Sequence, residues 1–114
     1  MILQLTLYDR MPAHAFKEYF ELVDKYYFPL MAKAPGLISM QRFNHWDLPE
    51  KVMIELWETK EQELAWDNSE VAKKAWREAM EKLTVQVPPE YSEGRHSVQH
   101  RHYRLEKSFK PEHA

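Results

Sequence analysis

The segment from Val52 to Ser69 narrows the possible folds more than any other part of this chain. Val52, Ile54 and Leu56 alternate with Met53 and Glu55, the period of two that marks a β-strand with one buried face. Trp57 and Glu58 close the run. Thr59 follows, and Gln62 stands three residues on, the spacing of a capping box. The Thr hydroxyl can accept from a backbone N–H of the first helical turn, and the Gln side chain can reach back to the Thr N–H. A strand therefore runs straight into a short helix, which carries Trp66 and ends before Ser69.

The rest of the chain repeats this mixture. Leu3, Leu5 and Leu7 alternate with Gln4, Thr6 and Tyr8, which predicts a first strand over Ile2–Tyr8 whose leucine face packs toward helices. Pro12 suits the first turn of a helix, where its missing N–H costs nothing. Phe16, Tyr19, Phe20, Val23, Tyr27, Leu30 and Met31 then recur at three and four, a long helix with an aromatic stripe. Pro29 should kink or end it early, and Pro35-Gly36 ends it. Leu37–Trp46 and Lys51–Glu58 read as a hairpin around Asp47–Glu50. A short helix over Thr59–Asp67 is followed by a second piece, capped by Ser69, with Ala72, Trp76, Ala79, Met80 and Leu83 on one face. Thr84–Arg95 reads as a loop and His96–Glu106 as the last strand. The order β-α-β-β-α-β predicts an α+β, ferredoxin-like antiparallel sheet. Its 114 residues suffice for one domain, placed at residues 1–106, with a polar tail over 107–114. So small a domain gains from dimerisation.

Charge and composition remove several function classes. The net charge of −2 gives no basic field for nucleic acid or an anionic membrane. No run of ~18 apolar residues could span a bilayer. There is no Cys for a disulfide or a thiol nucleophile, and Gly36 and Gly94 are the only glycines, too few for a phosphate-cradling loop. The apolar start fits a strand better than a signal peptide, and the expected location is the cytoplasm. Four Trp and six Tyr favour an aromatic-lined pocket or a large apolar interface.

Three groups of residues could carry chemistry. His96, His100 and His102 share one face of the last strand. Positions two apart on a strand lie ~6.6–6.8 Å from each other, so His100 and His102 could share a metal completed by a carboxylate such as Glu55. They could equally line a polar strand face, or supply a general acid or base near neutral pH. Trp66 and Trp76 either pack beneath the helices or wall a pocket for a flat aromatic ligand. In the stripe Phe16, Tyr19, Phe20, Tyr26, Tyr27, Phe28, a Tyr19 or Tyr27 turned to the sheet would put a hydroxyl inside an apolar pocket. His45 could face the pocket mouth. Glu61, Glu63, Glu70, Lys73, Lys74, Arg77, Glu78, Glu81 and Lys82 read as a solvated helix face.

The pattern strand–Trp57-Glu58-Thr59–helix–Trp66-x-x-Ser69 resembles the dimeric α+β barrel superfamily, which includes the antibiotic-biosynthesis and haem-degrading monooxygenases. The resemblance covers roughly Ile2 to Glu106. It implies a homodimer whose two sheets pack face to face, an interface that Gln4, Thr6 and Tyr8 would suit. Trp66 matches the Trp of the haem-degrading enzymes. Trp76 occupies the place of their iron-ligating His, and Ile2–Tyr8 lacks their Asn, so that mechanism is not carried over. The implied alternative is a monooxygenase needing neither metal nor flavin, in which the substrate's own carbanion reduces O2. Its small aromatic or polyketide-like substrate would lie between helices and sheet. Trp66 and Trp76 would hold the ring, with Tyr19, Phe20 and His45 around it. Tyr27, His100 and His102 would exchange protons. An isomerase or cyclase, a His-metal enzyme, and a non-catalytic homodimer binding a ligand or partner remain open on the same fold.

Overall fold

Four antiparallel strands form one sheet: β1 (Ile2–Tyr8), β2 (Leu37–Asn44), β3 (Lys51–Trp57) and β4 (His100–Arg104), in the order β2-β3-β1-β4. The computed structural model describes residues 1–93 and 100–112. Between the strands run α1 (Phe16–Tyr26), α2 (Phe28–Met31), α3 (Lys60–Asp67), α4 (Glu70–Glu81) and a single turn, α5 (Pro89–Ser92). This is the α+β, ferredoxin-like arrangement, with both chain-terminal strands side by side. His96 lies outside the described residues, and β4 is described from His100 onward.

The local signals act as their chemistry requires. The aromatic helix breaks at Tyr27, because Pro29 enters the first turn of α2, where it needs no N–H partner. Gly36 then takes φ +90°, a left-handed conformation that a side chain disfavours. Thr59 caps α3 by accepting from the Gln62 N–H at 3.2 Å, and its hydroxyl donates to Gln62 Oε1 at 3.1 Å. Ser69 caps α4 through the Ala72 N–H at 3.1 Å. The stretch read as loop contains α5, which Pro89 starts. Its Tyr91 is buried, accepts from the Arg10 N–H and stacks on Tyr8.

The faces of the sheet are the reverse of the expected ones. Gln4, Thr6, Tyr8, Met53, Glu55 and Trp57 are buried on the side facing the helices. Leu3, Leu5, Leu7, Val52, Ile54 and Leu56 lie on the opposite, half-buried side. Alternation fixes that two sets exist but not which set goes inward. The inward set is the one that matches the helices: Tyr8 packs edge-on against Phe20 at 5.0 Å, and Trp57, Tyr19, Tyr27, Val23 and Met31 are almost fully enclosed. Gln4 and Thr6 are admitted because hydrogen bonds satisfy them, which removes most of the cost of burying a polar group. The interface suggested for Gln4, Thr6 and Tyr8 is therefore not available to them.

Candidate functional site

Cross-strand register builds a polar row on the helix side of the sheet. Gln4 on β1 lies between Glu55 on β3 and His102 on β4, and Thr6 pairs with His100. The Gln4 side-chain amide bridges the two rings: its nitrogen donates to His100 Nδ1 at 3.1 Å, and its Oε1 lies 3.2 Å from His102 Nε2. The Thr6 hydroxyl lies 2.8 Å from the same His100 Nδ1. From above, α3 lowers Glu63 onto the row, with Oε1 3.4 Å from His102 Nε2. Glu63 is only 3% exposed, so it is no part of a solvated helix face. It sits three residues before Trp66, on the same inward side of α3.

A hollow of about 320 Å³ opens on this row, bordered by Gln4, Glu63, Asp67, His100 and His102, with Lys60 and Arg104 among its other walls. Asp67 also borders a second hollow of about 560 Å³, with Tyr27, Trp76 and Met80 along its wall. The two spaces thus share one wall residue: one is rich in proton-exchanging groups, the other has an aromatic wall. Trp66 donates its indole N–H to the Tyr27 hydroxyl oxygen at 2.9 Å, and Tyr27 packs edge-on against both Trp66 and Trp76, at 5.7 and 5.2 Å.

The sequence-derived candidates therefore divide. His100 and His102 border the smaller of these hollows, and Tyr27 and Trp76 the larger. Trp66 lies behind Tyr27 and borders a separate outer groove with Leu30 and Pro35. Tyr19 and Phe20 sit in the core, the Tyr19 hydroxyl donating to the Tyr91 carbonyl at 2.9 Å and Phe20 lying beneath the Arg42 guanidinium. His45 is in the exposed β2–β3 turn, where its Nδ1 accepts from the Asp47 and Leu48 N–H groups at 3.0 Å each. Glu55 does not complete a ligand set with His100 and His102. β1 separates β3 from β4, and the Glu55 carboxylate accepts from the Trp57 indole at 3.2 Å. Among the described residues, no three His, Cys, Asp or Glu side chains converge in a metal-binding group.

No protein-family model matches this chain, and neither does any curated protein sequence. Solved structures do match. A monooxygenase of Streptomyces coelicolor, in complex with nanaomycin D, superposes with a TM-score of 0.69 at 14% identity, covering 96% of this chain and 91% of that one. SnoaB, a cofactor-independent oxygenase from Streptomyces nogalater, gives 0.63 at 12% identity, with 96% and 94% covered. A candidate antibiotic biosynthesis monooxygenase from Deinococcus radiodurans gives 0.64 at 12% identity, with 97% and 98% covered. Similarity at this level resides in the backbone, over nearly the whole length of each chain. The protein has the α+β, ferredoxin-like fold of the antibiotic biosynthesis monooxygenase-like proteins.

Proposed function

We propose that this chain is a cofactor-independent, monooxygenase-like enzyme for a small aromatic or polyketide-like molecule, working as a homodimer. The observation that carries the reading is a pair of hollows that share Asp67 in their walls, one bearing His102 and buried Glu63, the other walled by Trp76 and Tyr27. A flat ring system fits the aromatic wall, and its activated CH2 group would reach the histidine. The fold neighbours, one solved with nanaomycin D and one named as a cofactor-independent oxygenase, support the same class of chemistry.

The reaction follows from the groups present. His102 takes a proton from a ring-flanked CH2, and the electron pair left behind delocalises over the aromatic system. The carbanion passes one electron to O2, and the resulting radical pair closes to a C–O bond, giving a peroxide. Tyr27, with its oxygen fixed by the Trp66 indole, protonates that peroxide. Loss of the second C–H proton expels water and leaves a carbonyl. One CH2 and one O2 thus become one C=O and one H2O. The half-buried aliphatic side of the sheet (Leu3, Leu5, Leu7, Val52, Ile54, Leu56) would pack against the same side of a second copy.

The test is aerobic incubation with an anthrone, whose CH2 between two aryl rings loses a proton readily. Oxygen uptake should match substrate loss, and heavy-isotope O2 should label the new carbonyl. His102→Ala should lower kcat by about 10²–10⁴-fold, the usual contribution of a general base. An anthrone that binds without any oxygen uptake above the buffer rate would overturn the reading. Conversion of a substrate under nitrogen would reassign the site to an isomerase or cyclase.

A further inference from the structure

Cations border several hollows of this protein, and what stands beside them differs. In the hollow between α1 and the β2–β3 pair, Arg42 is clamped by both carboxylate oxygens of Asp24, at 2.8 and 2.7 Å, and Glu21 shares the wall. In the larger, aromatic-walled hollow, Lys73 and Arg77 stand with Asp67, Glu81 and Glu93, and Lys73 lies 3.8 Å from Glu70. The histidine-bearing hollow is different. Its lysine and arginine, Lys60 and Arg104, form no ion pair among the described residues. An ammonium and a guanidinium can only donate, so each is left to water or to an acceptor brought in from outside.

Register and helical spacing gather these two cations at one end. Arg104 follows His102 by two positions on β4, so it stands on the same face, with its Cα about 6.6–6.8 Å further along. Ile2 of β1 pairs with Arg104 on one side and with Trp57, the last residue of β3, on the other. α3 begins at Lys60, three residues after Trp57, and so enters at that same end. Lys60, Glu63 and Asp67 then share one helical face. Glu63 comes one turn in, level with His102, its Oε1 3.4 Å from Nε2. Asp67 lies about 10 Å along the axis from Lys60, at the opposite end. No other lysine or arginine among the described residues borders this hollow.

The geometry points to a carboxylate on the ligand, held at this end by Arg104 and Lys60. The inference rests on the ring-binding reading above and narrows it from an aromatic molecule to an aromatic acid. A guanidinium presents two parallel N–H donors to a carboxylate, and an ammonium adds a point charge beside it. With both cations at one end and none at Asp67, one orientation of the acid is favoured over its reverse. A carboxyl on an outer ring of a fused aromatic system, with the CH2 beside His102, spans the interval between His102 and Arg104. Lys60 and Arg104 thus select and orient the molecule, and neither touches the carbon that reacts.

The experiment is calorimetric binding, to the full chain, of anthraquinone-2-carboxylate and of its carboxamide, a neutral ligand of nearly the same shape. Neither has a CH2 to oxidise, so the readout is independent of turnover. The acid should bind about tenfold more tightly than the amide at low salt, as two partly screened charge pairs would give, and the preference should shrink at high salt. Arg104→Met should cut the preference to about threefold, and the double variant with Lys60→Met should bind both ligands alike. Both side chains are exposed, so these variants should fold, which circular dichroism checks. Arg104→Glu supplies a result that lost packing would not mimic: it should reverse the preference, toward the cationic 2-aminomethyl anthraquinone. Equal binding of acid and amide to wild type overturns the inference, as does a preference that survives in the double variant. A wild type that binds neither overturns it together with the ring-binding reading. An acid held through Arg104 by a protein that takes up no O2 with anthrone upholds the inference and sinks only the oxygenase reading. Turnover of anthrone with no preference between acid and amide does the opposite.

Discussion

Tyr27 and Trp66 form a buried pair whose hydrogen bond links the core to the site. Tyr27→Phe leaves the Trp66 indole N–H facing a ring edge, which should cost about 1–3 kcal/mol in urea unfolding. Trp66→Phe in the same chain removes the stranded donor, so the double variant should lose less than the sum of the two single changes. A second test concerns pH. The Glu18 carboxyl is held below its ordinary value of 4.5 by the Thr84 backbone N–H and, next, by the Thr84 hydroxyl. A lowered value means that the bonded carboxylate favours the folded chain above pH 4.5, and that this support is lost as pH falls through the folded value. Thr84→Val should raise the Glu18 titration part of the way back, as followed by carboxyl NMR. Legibility also varied from one side chain to the next. His100 and His102 could be placed on one face from spacing alone. Glu63 sat inside a run of charges and read as solvent-facing. Its position three residues before Trp66 was the available signal, since the buried indole fixes which side of α3 looks inward. Gln4 and Thr6 were visible as an alternating polar set, but their partners lie more than ninety positions away, where local pattern carries no information.

The connection from α2 to β2 closes with a turn that only glycine fits comfortably. A Cβ on Gly36 would come within 2.3 Å of the Gln62 side chain, and the φ of +90° would strain any other residue. Gly36→Ala should destabilise the protein by more than about 1 kcal/mol in denaturant titration. Adding Gln62→Ala should recover only the part due to the clash, because the backbone strain persists. The elements themselves were largely readable, because each signal there is local: Thr59 and Ser69 cap their helices, Pro29 divides the aromatic helix, and Asn44 and Lys51 bracket a turn. The inward side of the sheet was not readable. Leucine alternating with Gln and Thr looks like a core face turned inward, yet packing preferred Tyr8, Met53 and Trp57, whose bulk fills the space beneath the aromatic helices. Face choice is a tertiary decision, made by volume and by whether buried polar groups find partners.

The reversed sheet has a consequence for assembly. Leu5 and Ile54 face each other across β1 and β3 at the centre of the aliphatic side. Ile54→Lys would place a charge in the proposed dimer interface, and sedimentation should show wild type at twice the mass of the variant. The wild-type melting temperature should rise with concentration and that of the variant should not. A wild type that sediments as one chain would rule out the dimer. The polar row lies on the other side of the same strands, so the hydrogen bonds of Gln4 and Thr6 to His100 and His102 should survive in the variant. The row also joins the two extremes of the chain: Gln4 and Thr6 come from β1, His100 and His102 from β4. Among the described residues, by contrast, the buried hydrophobic core is drawn from Tyr8 through Tyr91. During synthesis, the aromatic interior has all its residues before the histidines leave the ribosome. A product truncated after Tyr91 would keep the whole of this described core yet lack both rings of the site, so the chemistry certifies that β4 was made.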